Sequence, residues 1–157
     1  MLESLLGYNN KKKIYNGPLY KYAPFNTNFE FDNENNKKSF ERQFELLKRY
    51  FEAIYLNTTN QNEDKDPWLK IKDYSLLKVT GINALLLVLA RILEKYPKVN
   101  FDLNAYLKPL SKINFEKEYV YSKGGGWKGF REFANEIVNR INTDNKDDLR
   151  LYGEKEK

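Results

Sequence analysis

The densest apolar run in the chain is GINALLLVLARILEKY, which starts at Gly81 and is apolar on every side from Ala84 to Ala90. A helix apolar all round belongs in the middle of a domain. Thr80 stands where its side chain can accept from first-turn amides, and Pro97 stops the run just after Tyr96. This segment is expected to be the central core helix. Two other segments are one-sided. Over 37–56, Phe40, Phe44, Leu47, Phe51 and Ile54 recur at alternating spacings of four and three, which marks one face of a helix. Over 128–142, Phe130, Phe133, Ile137 and Ile141 do the same. Glu45 with Arg49, Lys48 with Glu52 and Glu136 with Arg140 stand one turn apart on the expected wet sides, each pair contributing about 0.3 to 0.5 kcal/mol.

Elsewhere the period changes from helical to alternating. Leu19-Tyr20-Lys21-Tyr22 and Asn28-Phe29-Glu30-Phe31, set among the turn formers Asn16-Gly17-Pro18 and Ala23-Pro24, predict short half-buried strands. FEKEYVY at 115–121 also alternates and predicts a strand. Residues 57–66, NTTNQNEDKD, predict a surface loop, followed by a helical turn with Asp66 as cap and Pro67 at its first position. Over 101–113 a helix or a pair of turns is expected, broken by Pro109. The fold class is therefore α+β and mostly helical: a central apolar helix packed by two amphipathic helices, with short strands in the N-terminal region and before the C-terminal helix. One domain is expected over 1–142, made of a strand- and turn-rich part at 1–36 and a helical core at 37–142. A charged tail at 143–157 is expected to fray.

Composition narrows the chemistry. At 157 residues a single core can bury roughly two-thirds of the unfolded surface without staples. With no Cys and no His, disulfides, thiolate or imidazole metal sites, Cys nucleophiles and His general bases are excluded, and a reducing cytoplasm is the expected compartment. No metal or cofactor is predicted. The run at 82–93 carries Asn83 and Arg91 and falls short of the roughly 20 apolar residues a bilayer requires, so no membrane partner is expected. Lys and Arg number 27 against 22 Asp and Glu, a net charge of +5. That balance is compatible with DNA, and equally with a biased, lysine- and asparagine-rich composition.

One stretch, SKGGGWKGF at 122–130, fits G-x-G-x-x-G between a predicted strand and a predicted helix. A dinucleotide fingerprint also needs a second strand that delivers an acidic residue, and no apolar run carries Asp147 or Asp148 there. A Walker A loop fails because Lys128 precedes Gly129 rather than Ser or Thr. A simpler anion site remains, in which Gly124, Gly125 and Gly126 turn amides inward at a helix N-terminus beside Lys123, Lys128 and Arg131. Against it stands a plain tight turn with Trp127 packed on the core. Lys11, Lys12, Lys13 and Lys21, interleaved with Tyr8, Tyr15, Tyr20 and Tyr22, are candidate nucleic-acid contacts, where bases could stack over a basic groove. Glu30, Glu116 and Glu118 supply carboxylates, but none forms a nameable catalytic pair.

The order of segments resembles a known family. Gly17-Pro18-Leu19-Tyr20, then LLKRYFEAIY, Trp68, and LLKVTGINALLLVLARIL at 76–93 are similar to the C-terminal half of DGQHR-domain proteins, over residues 17–141. The most specific part is Lys78-Val79-Thr80-Gly81-Ile82-Asn83-Ala84-Leu85. The family includes regulator-like proteins found with DNA phosphorothioate modification and phage-defence clusters. Its naming Asp-Gly-Gln-His-Arg motif is absent, so the role of that motif transfers to no residue here. The resemblance implies the helical C-terminal part standing alone, as a split-gene product or isolated domain. It further implies a non-catalytic, DNA-associated accessory or regulatory module working beside a co-encoded DGQHR-containing protein. The alternatives are a protein-interaction module completing a partner's fold and, more remotely, a nucleotide-binding enzyme fragment using the glycine loop.

Overall fold

The computed structural model describes residues 8–9, 14–15 and 34–153, with side chains from 41 to 153. The expected strand segments 19–22 and 28–31 lie outside the described residues. Strands β1 (Tyr8–Asn9) and β2 (Ile14–Tyr15) pair antiparallel, with Tyr8 opposite Tyr15. The rest is mostly helical: α1 (Glu34–Thr58), α2 (Val79–Lys95), α3 (Leu103–Tyr106), α4 (Lys117–Ser122) and α5 (Gly126–Asn145), with 3-10 turns at Glu63–Lys65 and Lys108–Lys112.

Helix α2 is the centre, as its all-round apolar pattern requires. Every residue from Ala84 to Leu93 is buried, and the main partner of α2 is α5 through Phe133, Ala134, Ile137, Val138 and Ile141. Its cap differs from expectation. Lys78, not Thr80, holds the N-cap position and makes no side-chain bond to the first-turn amides. The first turn is instead pressed onto the preceding turn, where a Cβ at Gly81 would overlap the carbonyls of Ser75 and Leu76.

The core face of α1 overlaps only in part with the one its phenylalanines suggest. Leu46, Tyr50, Ala53 and Ile54 are buried, Leu47 and Phe51 are half-buried, and Phe44 is 60 % exposed. Both stripes satisfy helical spacing, because this helix carries more apolar residues than one face can take. The stripe that wins includes Tyr50, whose hydroxyl donates to the Leu85 carbonyl of α2 at 2.6 Å. A buried hydroxyl with a partner is tolerated in a core, and here it links the two helices. The Phe40 side chain is outside the described ones.

Residues 115–121 are not a strand. Only Glu116 bridges, to Tyr74, and the chain then winds into α4. Ser75 donates to the Phe115 carbonyl at 2.8 Å and Lys117 to the Asp73 carbonyl at 2.8 Å, after which no strand among the described residues offers further partners. A helix satisfies its own backbone where an unpaired strand cannot. The region before it behaves as expected: Asp66 accepts from the Trp68 amide at 2.7 Å, and Lys108–Lys112 forms a turn with Pro109 in its opening positions.

Over its described part the tail packs back on the domain. After α5 ends at a left-handed Lys146, residues 147–152 run back along α5. Asn142 exchanges two hydrogen bonds with the backbone of Leu149, both at 2.8 Å. Asn135 does the same two turns earlier with Tyr152, at 3.0 and 2.7 Å. Leu149 is buried, the Arg91 guanidinium lies 3.8 Å over the Tyr152 ring, and the Tyr152 hydroxyl donates to the Leu87 carbonyl at 2.7 Å. Two side-chain amides thus satisfy backbone groups of this segment.

Candidate functional site

The glycine run resolves into three different jobs. Gly124 and Gly126 adopt φ of 111° and 57°, where a side chain is strained, whereas Gly125 has an ordinary extended conformation as the N-cap of α5. Gly129 is needed for another reason: a Cβ there would overlap the Gly124 carbonyl, so the first turn of α5 sits directly on the turn that precedes it. The Gly124 amide donates to the Tyr121 carbonyl at 3.1 Å and the Gly129 amide to the Gly125 carbonyl at 3.4 Å. The amides of Gly126, Trp127 and Lys128 have no backbone acceptor in the helix behind them.

Of the three cations expected beside this turn, one is committed elsewhere. Lys123 pairs with Glu136 at 2.8 Å and donates to the Tyr119 hydroxyl at 3.1 Å, and these contacts raise its pKa above the ordinary lysine value. The expected Glu136–Arg140 pair is replaced by this one. Lys128 and Arg131 are exposed and form no ion pair among the described residues. Trp127 is 61 % exposed and meets only the Phe130 ring edge-on, so it does not pack on the core as a plain turn would have it. Lys11, Lys12, Lys13, Lys21 and Glu30 lie outside the described residues. Glu116 and Glu118 are exposed and share a mixed-charge groove of about 380 Å³ with Lys72, Asp73 and Lys117.

The exposed stripe of α1 shares Phe44 and Phe51 with the face that periodicity sends to the core, and of these Phe44 is exposed. Phe44, Lys48, Phe51 and Tyr55 follow one another at spacings of four, three and four, and Leu56 beside them is 59 % exposed. Phe51, Tyr55, Leu56 and Trp68, with Lys48 and Glu52 on the rim, border an apolar hollow of about 570 Å³. The hollow is built rather than incidental. Trp68 stands edge-on to Tyr55 at 5.2 Å, and its indole N–H donates to the Thr58 hydroxyl at 2.8 Å. Asp66 holds that turn in place, accepting from the Thr59 hydroxyl at 2.7 Å and the Asn60 amide at 3.0 Å. Lys48 and Glu52 are 3.9 Å apart, a loose pair, and the expected Glu45–Arg49 pair gives way to Arg49 donating to the Phe101 carbonyl at 3.4 Å. A surplus of apolar residues over one face, legible in LLKRYFEAIYL, was the available signal for a second apolar face.

A second cluster sits at the far end of α2. The Asp147 carboxylate, with a side chain 5 % exposed, accepts from Lys95 and Tyr106 and, at 3.2 Å, from Tyr96. Burial opposes its ionisation, but Lys95, Tyr106 and the Asp148 amide outweigh burial and hold the carboxyl below the usual aspartate range. Burial and the same carboxylate push the Tyr106 hydroxyl up. Every member is bonded within the cluster, which makes it a clasp between α2, α3 and the tail. Among the described residues no group of three His, Cys, Asp or Glu could hold a metal ion, and no helix is long and apolar enough to cross a membrane. No protein-family model, curated protein or solved structure matches this chain.

Proposed function

We propose that this chain is a non-catalytic protein-interaction module whose α1 stripe receives an amphipathic helix. The observation that carries the reading is the exposed Phe44, Tyr55 and Leu56, with half-buried Phe51 between them, leading into a hollow shaped by Trp68. Contiguous apolar surface with a polar rim is what helix-in-groove recognition uses, through anchors at i, i+4, i+7 and i+11. From the resemblance of segment order over residues 17–141 to the C-terminal half of DGQHR-domain proteins, we further propose an accessory or regulatory role beside DNA-modification or phage-defence proteins. On that footing a co-encoded DGQHR-containing protein is the partner to try first. The test is calorimetric titration of the full chain with purified products of neighbouring reading frames. Leu56→Asp should abolish association while leaving helicity unchanged; association that ignores this substitution would overturn the reading.

A second reading, direct association with DNA, is supported by the net charge of +5 and by the exposed, unpaired Lys128 and Arg131. On it, backbone phosphates would meet the anion site expected at 123–131, without Lys123. Salt dependence of binding separates it from the first.

A further inference from the structure

Resting on the docking reading above, we infer that the helix received by the α1 stripe is the same stripe of a second copy of this chain, packed antiparallel about a two-fold axis. The spacing of Phe44, Lys48, Phe51 and Tyr55 reads the same in both directions. An antiparallel copy therefore sets Phe44 opposite the partner's Tyr55 and Lys48 opposite the partner's Phe51, with the reciprocal contacts generated by symmetry. Phe44, 60 % exposed and without a ring partner, then enters the hollow of about 570 Å³ bordered by Phe51, Tyr55, Leu56 and Trp68. Each copy supplies one knob and one hole. The charges agree with this register and not with a parallel one. Lys48 reaches Glu52 across the axis twice, whereas parallel packing would stack Lys48 on Lys48. Both side chains are more than half exposed and only loosely paired within the chain, so they are available to a second copy. The stripe spans about 17 Å at 1.5 Å per residue, which makes this a small, concentration-dependent interface.

The experiment is sedimentation velocity of the full chain over a dilution series reaching about 0.1 mM, where interfaces of this size are populated. A dimer is expected that dissociates on dilution. Phe44→Glu should abolish it with an unchanged circular dichroism spectrum, since the monomer does not bury that side chain. Lys48→Glu and Glu52→Lys should each weaken dimerisation about three- to tenfold, and the double swap should restore it. Because the chain has no cysteine, oxidation should link the Phe44→Cys/Tyr55→Cys double variant into a covalent dimer and leave both single variants monomeric. A monomer at 0.1 mM, a dimer indifferent to Phe44→Glu, or cross-linking by Phe44→Cys alone would overturn the inference. If the chain is monomeric but Phe44→Glu removes binding to another protein, the docking reading stands and the second copy is excluded. If neither association responds to Phe44, both fall.

Discussion

Gly129 and Gly125 lie four residues apart in one glycine-rich turn, yet a methyl group would meet a backbone carbonyl at the first and open space at the second. Gly129→Ala should therefore cost about 1 to 3 kcal/mol, the range for forcing atoms into a packed contact that only backbone movement can relieve. Gly125→Ala should stay within about 0.5 kcal/mol of the parent, because its φ is ordinary. Thermal melts of the two variants check this, and equal losses would mean that the turn is not seated as described. Charge decides the next case. The Asp147 carboxyl is held below its usual range, so between that value and about pH 4 the unfolded chain binds more protons than the fold. The stability it contributes is full above about pH 4 and is lost as pH falls through its lowered folded value. Asp147→Asn should be less stable than the parent at neutral pH and converge with it in acid, giving a flatter acid limb in melting temperature against pH.

At the scale of elements, what sequence reveals depends on whether a segment's pattern has one solution or two. The all-round apolar α2 admits only burial, and it is buried. Leu89→Ala there should cost about 2 to 5 kcal/mol in denaturant titration, and a loss below 1 kcal/mol would contradict its central place. Helix α1 is legible as a helix but not in orientation, since two overlapping stripes fit and the choice between them is made by packing on α2, including the Tyr50 bond to the Leu85 carbonyl. Residues 115–121 alternate like a strand, but strand formation needs a neighbour, and pairing partners do not show in a local window. The tail misleads for a related reason. Its charges suggest solvent, while its anchors are Leu149, Tyr152 and two asparagines that precede it on α5. Tyr152→Ala removes a ring contact with Arg91 and a hydrogen bond to Leu87, and should cost about 2 to 3 kcal/mol by chemical denaturation. Of the candidate site, the glycine turn was found by its motif, whereas the α1 stripe required knowing which face the core had taken.

For the whole molecule, the excess of positive charge sets a limit on what nucleic acid could do here. Many surface cations are already engaged: Lys70 with Asp64, Lys95 with Asp147, Lys112 with Asp144 and Lys123 with Glu136. Near the α5 N-terminus that leaves Lys128 and Arg131 as side chains able to displace counterions. Duplex DNA binding through this end should then show a slope of log affinity against log salt of about −1.8, two contacts at about −0.9 each. Lys128→Ala should bring the slope to about −0.9 and leave the melting temperature unchanged, because the side chain is exposed and unpaired. Fluorescence anisotropy with a labelled duplex at several salt concentrations measures both. A slope steeper than about −4 would require a wider basic surface and would turn attention to Lys11, Lys12, Lys13 and Lys21. Absence of binding at low salt, together with association lost on Leu56→Asp, would leave the α1 stripe as the functional surface and remove DNA contact from the account of this chain.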